Sequence, residues 1–180
     1  MIQFRKNIVL IGMTGVGKTT IGKVLAMKLR VGFIDIDHEI EKQSNLKIKD
    51  FFKIYGEKEF RRIEKSTLLN TLKKKEKIVI ASGAGIFSDE EIKDYLFDEC
   101  ICIFLKANLK SLISRLKKNL SNRPKLSEGK LEENLKQMYT DRIKHYEKSQ
   151  ITVEVDKISV PEAVSRINKA LIKYGKFNQL

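Results

Sequence analysis

Near the start of the chain, Gly12-Met13-Thr14-Gly15-Val16-Gly17-Lys18-Thr19 stands between an apolar run and an amphipathic stretch. It matches the pattern G-x-x-x-x-G-K-[S/T] at every fixed position. Glycines permit a tight turn whose backbone N–H groups point inward at phosphate oxygens. A helix beginning near Lys18 adds the positive end of its dipole. The Lys18 ammonium has the length to reach terminal phosphates, and the Thr19 hydroxyl is placed to ligand magnesium. Gly12, Gly15, Val16, Gly17, Lys18, Thr19 and Thr20 are therefore the candidate nucleotide-binding residues. A turn that merely joins strand to helix is the bland alternative, which the complete motif in this context disfavours. The motif names no acceptor, because GTPases, ATPases and kinases share it.

From this turn onward the pattern alternates strand and helix. Apolar runs predict strands at Asn7 to Ile11, Phe33 to Ile36, Lys77 to Ala81, Cys100 to Leu105 and Ile151 to Val155. Helical periodicity falls at Lys18 to Arg30, with Gly32 as its stop, then at Asp37 to Gln43, Ile48 to Tyr55 and Glu57 to Lys74. Ser88 with Glu91 predicts a capped helix ending near Phe97. Further helices are expected at Leu109 to Lys118, at Leu131 to Tyr146 and after Ser159, with Pro161 in the first turn. Short apolar strands alternating with helices imply an α/β fold: a five-stranded parallel sheet with helices on both faces. The 180 residues fit a single domain, 1–180, without linker or repeat. Its one long irregular segment, 119–130, reads as a lid.

No apolar run approaches the ~20 residues of a membrane helix, and no signal-peptide pattern opens the chain. The two cysteines, Cys100 and Cys102, share one face of a strand and are expected to be buried, reduced thiols. A cytoplasmic setting suits them. The net charge of +13 is spread along the chain, with no basic stripe interleaved with aromatics, so nucleic acid is not the expected partner. That charge would still draw an anionic nucleotide and an acidic substrate.

Asp35 and Asp37 end the second strand two residues apart, which places both carboxylates on one side. Ligands of open parallel sheets bind beyond such strand ends. One acid can help hold magnesium and the other can take a proton from an acceptor hydroxyl, although an Asp pair here can also simply cap a helix. Arg61 and Glu64 lie i, i+3 on one helix and read, on their own, as a surface pair. Arg123 sits beside Pro124 in the lid, and Arg142 lies on a later helix. Gly83-Ala84-Gly85 follows the third strand, where small residues let a ligand approach the backbone.

In order along the chain, the phosphate loop, Phe33-Ile34-Asp35-Ile36-Asp37, Tyr55-Gly56-Glu57-Lys58-Glu59-Phe60-Arg61-Arg62-Ile63-Glu64, the small-residue turn, Arg123-Pro124 and Arg142-x-x-x-Tyr146 resemble the shikimate kinase family. The resemblance covers about Asn7 to Leu171 and implies a P-loop NTPase fold of the nucleoside monophosphate kinase type. It implies a monomer acting on ATP and shikimate, with Mg2+ as cofactor. It makes Lys18, Asp37 and Arg123 catalytic, with Arg123 closing over the phosphates. Asp37, Arg61, Gly83, Ala84, Gly85 and Arg142 would bind the acceptor, with helices in about 37–64 carrying much of that site. Glu64 would orient Arg61, Thr19 and Asp35 would hold the metal, and Arg115 would lie against adenine. The family usually has glycine where Ala84 and Asn45 stand. The Ala84 methyl is expected to crowd the acceptor or limit the backbone, whereas Asn45 tolerates a left-handed conformation. The alternatives are another small-molecule kinase, for gluconate or a nucleoside monophosphate, and a nucleotide-binding protein that has lost catalysis.

Overall fold

The five apolar runs form one parallel sheet in the order β2-β3-β1-β4-β5 in the computed structural model, which describes residues 6–73, 77–117 and 131–178. The strands are β1 (Asn7–Ile11), β2 (Gly32–Asp35), β3 (Ile78–Ala81), β4 (Cys100–Lys106) and β5 (Ile151–Glu154). Every residue of β1 and β3 is buried, although successive side chains point to opposite faces. Both faces of the central sheet are therefore covered, as continuous apolar strands require. The helices are α1 (Lys18–Leu29), α2 (Ile36–Ser44), α3 (Ile48–Leu72), α4 (Glu90–Glu99), α5 (Leu109–Lys117), α6 (Leu131–Tyr146) and α7 (Val160–Asn178).

Strands β3 and β4 follow one another in sequence but flank β1 on opposite sides. That reversal is the switch point at which open α/β sheets bind ligands. The register sets Leu10 and Asp35 each opposite Ala81. The segments leaving β1, β3 and β2 thus emerge side by side at one edge, with the β3 turn between the other two.

Three local features differ from the sequence expectations, each for a physical reason. Helix α1 stops on Arg30, which takes a left-handed φ of 57° while its N–H reaches the Ala26 and Met27 carbonyls. Gly32 instead opens β2, where a Cβ would stand 3.0 Å from Ile78 Cγ2. The two helices expected at 48–55 and 57–74 are both present: they meet within α3 at a kink on Gly56 (φ 75°, ψ 177°), braced by Phe52 against Phe60, ring centroids 4.5 Å apart. A short 3-10 turn takes up Ile86–Ser88, so Asp89 rather than Ser88 caps α4, accepting from the Ile92 N–H at 3.1 Å.

Ser159 caps the last helix as expected, accepting from the Glu162 N–H at 3.3 Å. Cys100 and Cys102 are both free and buried. Burial pushes the Cys100 thiol up to about 12 and the Cys102 thiol upward too, so both stay protonated. Among the described residues, no helix is long and apolar enough to cross a membrane. The lid expected at 119–130, with Arg123, lies outside the described residues.

Candidate functional site

The phosphate loop joins β1 to α1 and turns on Gly12, Gly15 and Gly17, whose φ values are 141°, 79° and 103°. At Gly12 a Cβ would fall 2.7 Å from the Leu105 carbonyl of β4, so the loop hugs the sheet as only glycine allows. The Lys18 ammonium arches back over the loop and donates to the carbonyls of Gly12 at 2.8 Å and Met13 at 3.1 Å. Its charge is thereby held over the bowl of backbone amides. Next along α1, the Thr19 hydroxyl donates to the Asp35 carboxylate at 2.5 Å.

On the far side of the loop a groove of about 210 Å³ is lined by Val16, Thr20, Arg115, Val155 and Ile158, among others. The Arg115 guanidinium crosses it, donating to the carbonyls of Val16 at 3.3 Å and Val155 at 3.2 Å. A flat cation spanning the phosphate loop and the end of β5 suits a flat aromatic base.

A cleft of about 650 Å³ brings Thr19, Asp35, Asp37, Arg61, Glu64, Gly83, Ala84, Gly85 and Arg142 together. The turn after β3 organises it. A Cβ on Gly83 would collide with the Glu64 carboxylate and lie 3.3 Å from Asp37 Oδ1. At Gly85 it would strike the Arg61 guanidinium, 2.6 Å from Cζ. The Ala84 carbonyl accepts from Arg142 Nη1 at 3.0 Å and from the Tyr146 hydroxyl. Three consecutive residues thus touch five cleft side chains from α2, α3 and α6.

Arg61 is no surface pair. Its partner Glu64 is 1% exposed and accepts from Nη1 at 2.5 Å, while its Cζ rests 5.2 Å over the Phe60 ring. Asp35 ends β2 and caps α2, accepting from the His38 N–H at 3.2 Å, so the capping reading and the cleft reading hold together for it. Asp37 stands in the first turn of α2 rather than on the strand. Loss of hydration around its carboxyl, then the carboxylates of Glu64 and Asp35, push Asp37 up to about 6, against the pull of Lys18 and Arg61. The residue keeps solvent contact, so crowding rather than full enclosure is what the rise reflects.

Thr19 and Asp35 offer adjacent hard oxygen ligands, and no group of three or more His, Cys, Asp or Glu forms a cage among the described residues. This donor set fits magnesium, which takes one or two protein oxygens and completes its shell with phosphates and water.

Ala84 does not limit the backbone as expected. The non-glycine residues with positive φ are Arg30, Asn45 and Lys157 among those described, so Ala84 needs no glycine conformation. Asn45 does adopt the left-handed form, at φ 53°. Sequence reasoning assigned no role to the Tyr146 hydroxyl or to the apolar wall of Phe33, Phe52, Phe60 and Met138. The spacing of Arg142 and Tyr146, i and i+4 on one helix face, is the signal that could have found the tyrosine.

A family model described as shikimate kinase matches residues 14–172. A shikimate kinase of Oceanobacillus iheyensis is 39% identical over 166 residues, covering 92% of this chain and 90% of that one. Among solved structures, shikimate kinase from Acinetobacter baumannii in complex with shikimate superposes with a TM-score of 0.88 at 29% identity, covering 93% of both chains. A gluconokinase from Sinorhizobium meliloti reaches 0.64 at 18% identity over 99% of this chain and 98% of its own, a likeness of fold alone. With a phosphate loop, an arginine-lined cleft and relatives matched nearly end to end, the chain belongs to the shikimate kinase family.

Proposed function

We propose that this protein transfers the γ-phosphoryl group of ATP to the 3-hydroxyl of shikimate, in the biosynthesis of aromatic amino acids. The observation that carries the reading is the Gly83–Gly85 turn, against which Arg61 and Arg142 both pack in the cleft that also holds Asp37. Two guanidinium forks grip one carboxylate and fix one end of a ring. The opposite hydroxyl is then delivered in line with the γ-phosphorus, which removes much of the entropic barrier.

Transfer is direct, without a covalent enzyme intermediate. The acceptor oxygen bonds to the γ-phosphorus as the bond to the ADP oxygen breaks. Asp37 accepts the hydrogen bond of the attacking hydroxyl and takes its proton late. Lys18 draws on the charge spreading over the γ-phosphoryl oxygens. By family resemblance Arg123, which lies outside the described residues, would join it there. Thr19 and Asp35 would hold the magnesium ion that accompanies the nucleotide, whose chemistry is neutralisation of β- and γ-phosphoryl charge. The protein is read as a cytoplasmic monomer, which sedimentation would check.

The decisive test is ADP release with shikimate, gluconate and nucleoside monophosphates offered in turn. Turnover with shikimate alone is expected. Turnover with gluconate and none with shikimate would overturn the assignment, and binding of ATP without any turnover would leave a catalytically silent homologue.

A further inference from the structure

The Arg61 guanidinium is held by two carboxylates of different character. Glu64 is enclosed and close, at 2.5 Å from Nη1. Glu57 accepts from Nη2 at 3.3 Å and is 52% exposed. Both stand on α3, four residues before Arg61 and three after, so the helix itself brings them to the same fork. The fork has little freedom to turn away, because it lies flat against Gly85, where a Cβ would approach to 2.7 Å of Nη1. Bidentate capture of a carboxylate uses two parallel N–H donors of such a fork. Here both terminal nitrogens already face acids.

Resting on the reading above that the acceptor is a carboxylic acid gripped by Arg61, we propose that Glu57 sets acceptor affinity by competition: its carboxylate occupies Nη2 and yields when the acceptor's carboxylate docks. Glu64 is unsuited to that part, because an enclosed carboxylate stripped of its cation is strongly disfavoured. An exposed, longer pair is weak and exchanges readily for water. The balance of charge points the same way. Two acids, Glu57 and Glu64, offset the single charge of Arg61, so one acid fewer favours an anionic acceptor.

Initial rates of ADP release, with shikimate varied at saturating ATP and then ATP varied at saturating shikimate, test the idea on wild type, Glu57→Gln and Glu57→Asp. For Glu57→Gln the shikimate KM is expected to fall roughly two- to fivefold, the scale of an exposed ion pair. The kcat and the KM for ATP should stay within a factor of about two, which also reports an intact fold. Glu57→Asp, with a shorter arm, should shift the shikimate KM in the same direction. Calorimetric titration of shikimate should show the same tightening. A raised shikimate KM would mean that Glu57 positions Arg61, and an unchanged one that the pair has no bearing on binding; either overturns the proposal. Wild-type protein that releases no ADP with shikimate would instead sink the underlying assignment of the acceptor.

Discussion

The hydroxyl of Thr19 donates to the carboxylate of Asp35 at 2.5 Å, tying the first turn of α1 to the start of α2 across the mouth of the cleft. The same carboxylate caps α2 through the His38 N–H. In the proposed function one side chain therefore serves the helix and the metal position at once. Asn caps helices about as well as Asp, so Asp35→Asn should change stability by less than about 1 kcal/mol. The free magnesium needed for half-maximal rate should nonetheless rise by ~10–100-fold. A magnesium titration of ADP release, paired with thermal unfolding, checks both halves.

As the proposed base, Asp37 should govern the acid side of the pH profile. With its carboxyl pushed up to about 6, kcat/KM for shikimate should fall as pH drops through that value and the base becomes protonated. The stability effect has the opposite sense. A folded-state value above the ordinary 3.8 means that the folded protein disfavours the ionised form, so raising the pH from about 4 to about 6 works against folding. Asp37→Asn should therefore melt higher than wild type at pH 7.5, with the difference vanishing below pH ~4. The same variant should lose ~10²–10⁴ in rate. Equal melting temperatures throughout would refute the crowding account.

The turn after β3 should tolerate its middle residue and not its outer two. A methyl at position 85 lands on the Arg61 guanidinium, and one at 83 on the Glu64 carboxylate. Gly83→Ala and Gly85→Ala should each cost about 1–3 kcal/mol of stability and weaken shikimate binding at least ~10-fold, leaving ATP binding nearly unchanged. Ala84→Gly should leave shikimate KM within about twofold, because Ala84 already sits in ordinary backbone space. Parallel steady-state kinetics for the three variants decide the point.

Removing Arg61 should do more than weaken the acceptor. Glu64 would be left enclosed without its cation, a situation that costs about 3 kcal/mol or more. Arg61→Ala should consequently unfold at lower denaturant concentration. The double variant Arg61→Ala/Glu64→Gln should recover most of that stability and none of the shikimate affinity. Chemical denaturation with calorimetry separates the two effects.

The phosphate loop was legible because its chemistry demands fixed residue types at fixed spacing, and the strand before it and helix after it carry unmistakable periodicities. Asp35, Asp37, Arg61 and Arg142 could be named, but chiefly through family resemblance. Taken alone, Arg61 and Glu64 read as an exposed helix pair, since local spacing says nothing about what covers them. Their burial depends on a turn some twenty residues away in sequence. The Tyr146 hydroxyl escaped for the same reason: its acceptor, the Ala84 carbonyl, lies 62 residues back along the chain. The cap at Asp89 was misplaced by one residue because a short 3-10 turn, which periodicity does not reveal, intervenes before α4.

The order β2-β3-β1-β4-β5 carries a consequence for how such enzymes diversify. In the proposed function the triphosphate is served from the exit of the central strand and from the β5 side. The second substrate would be met by what leaves β3 and β2, together with three helices. A lineage could therefore exchange its acceptor by altering one flank of the sheet while the phosphate loop and the β5 side stay intact, much as a tool changes its bit and keeps its motor.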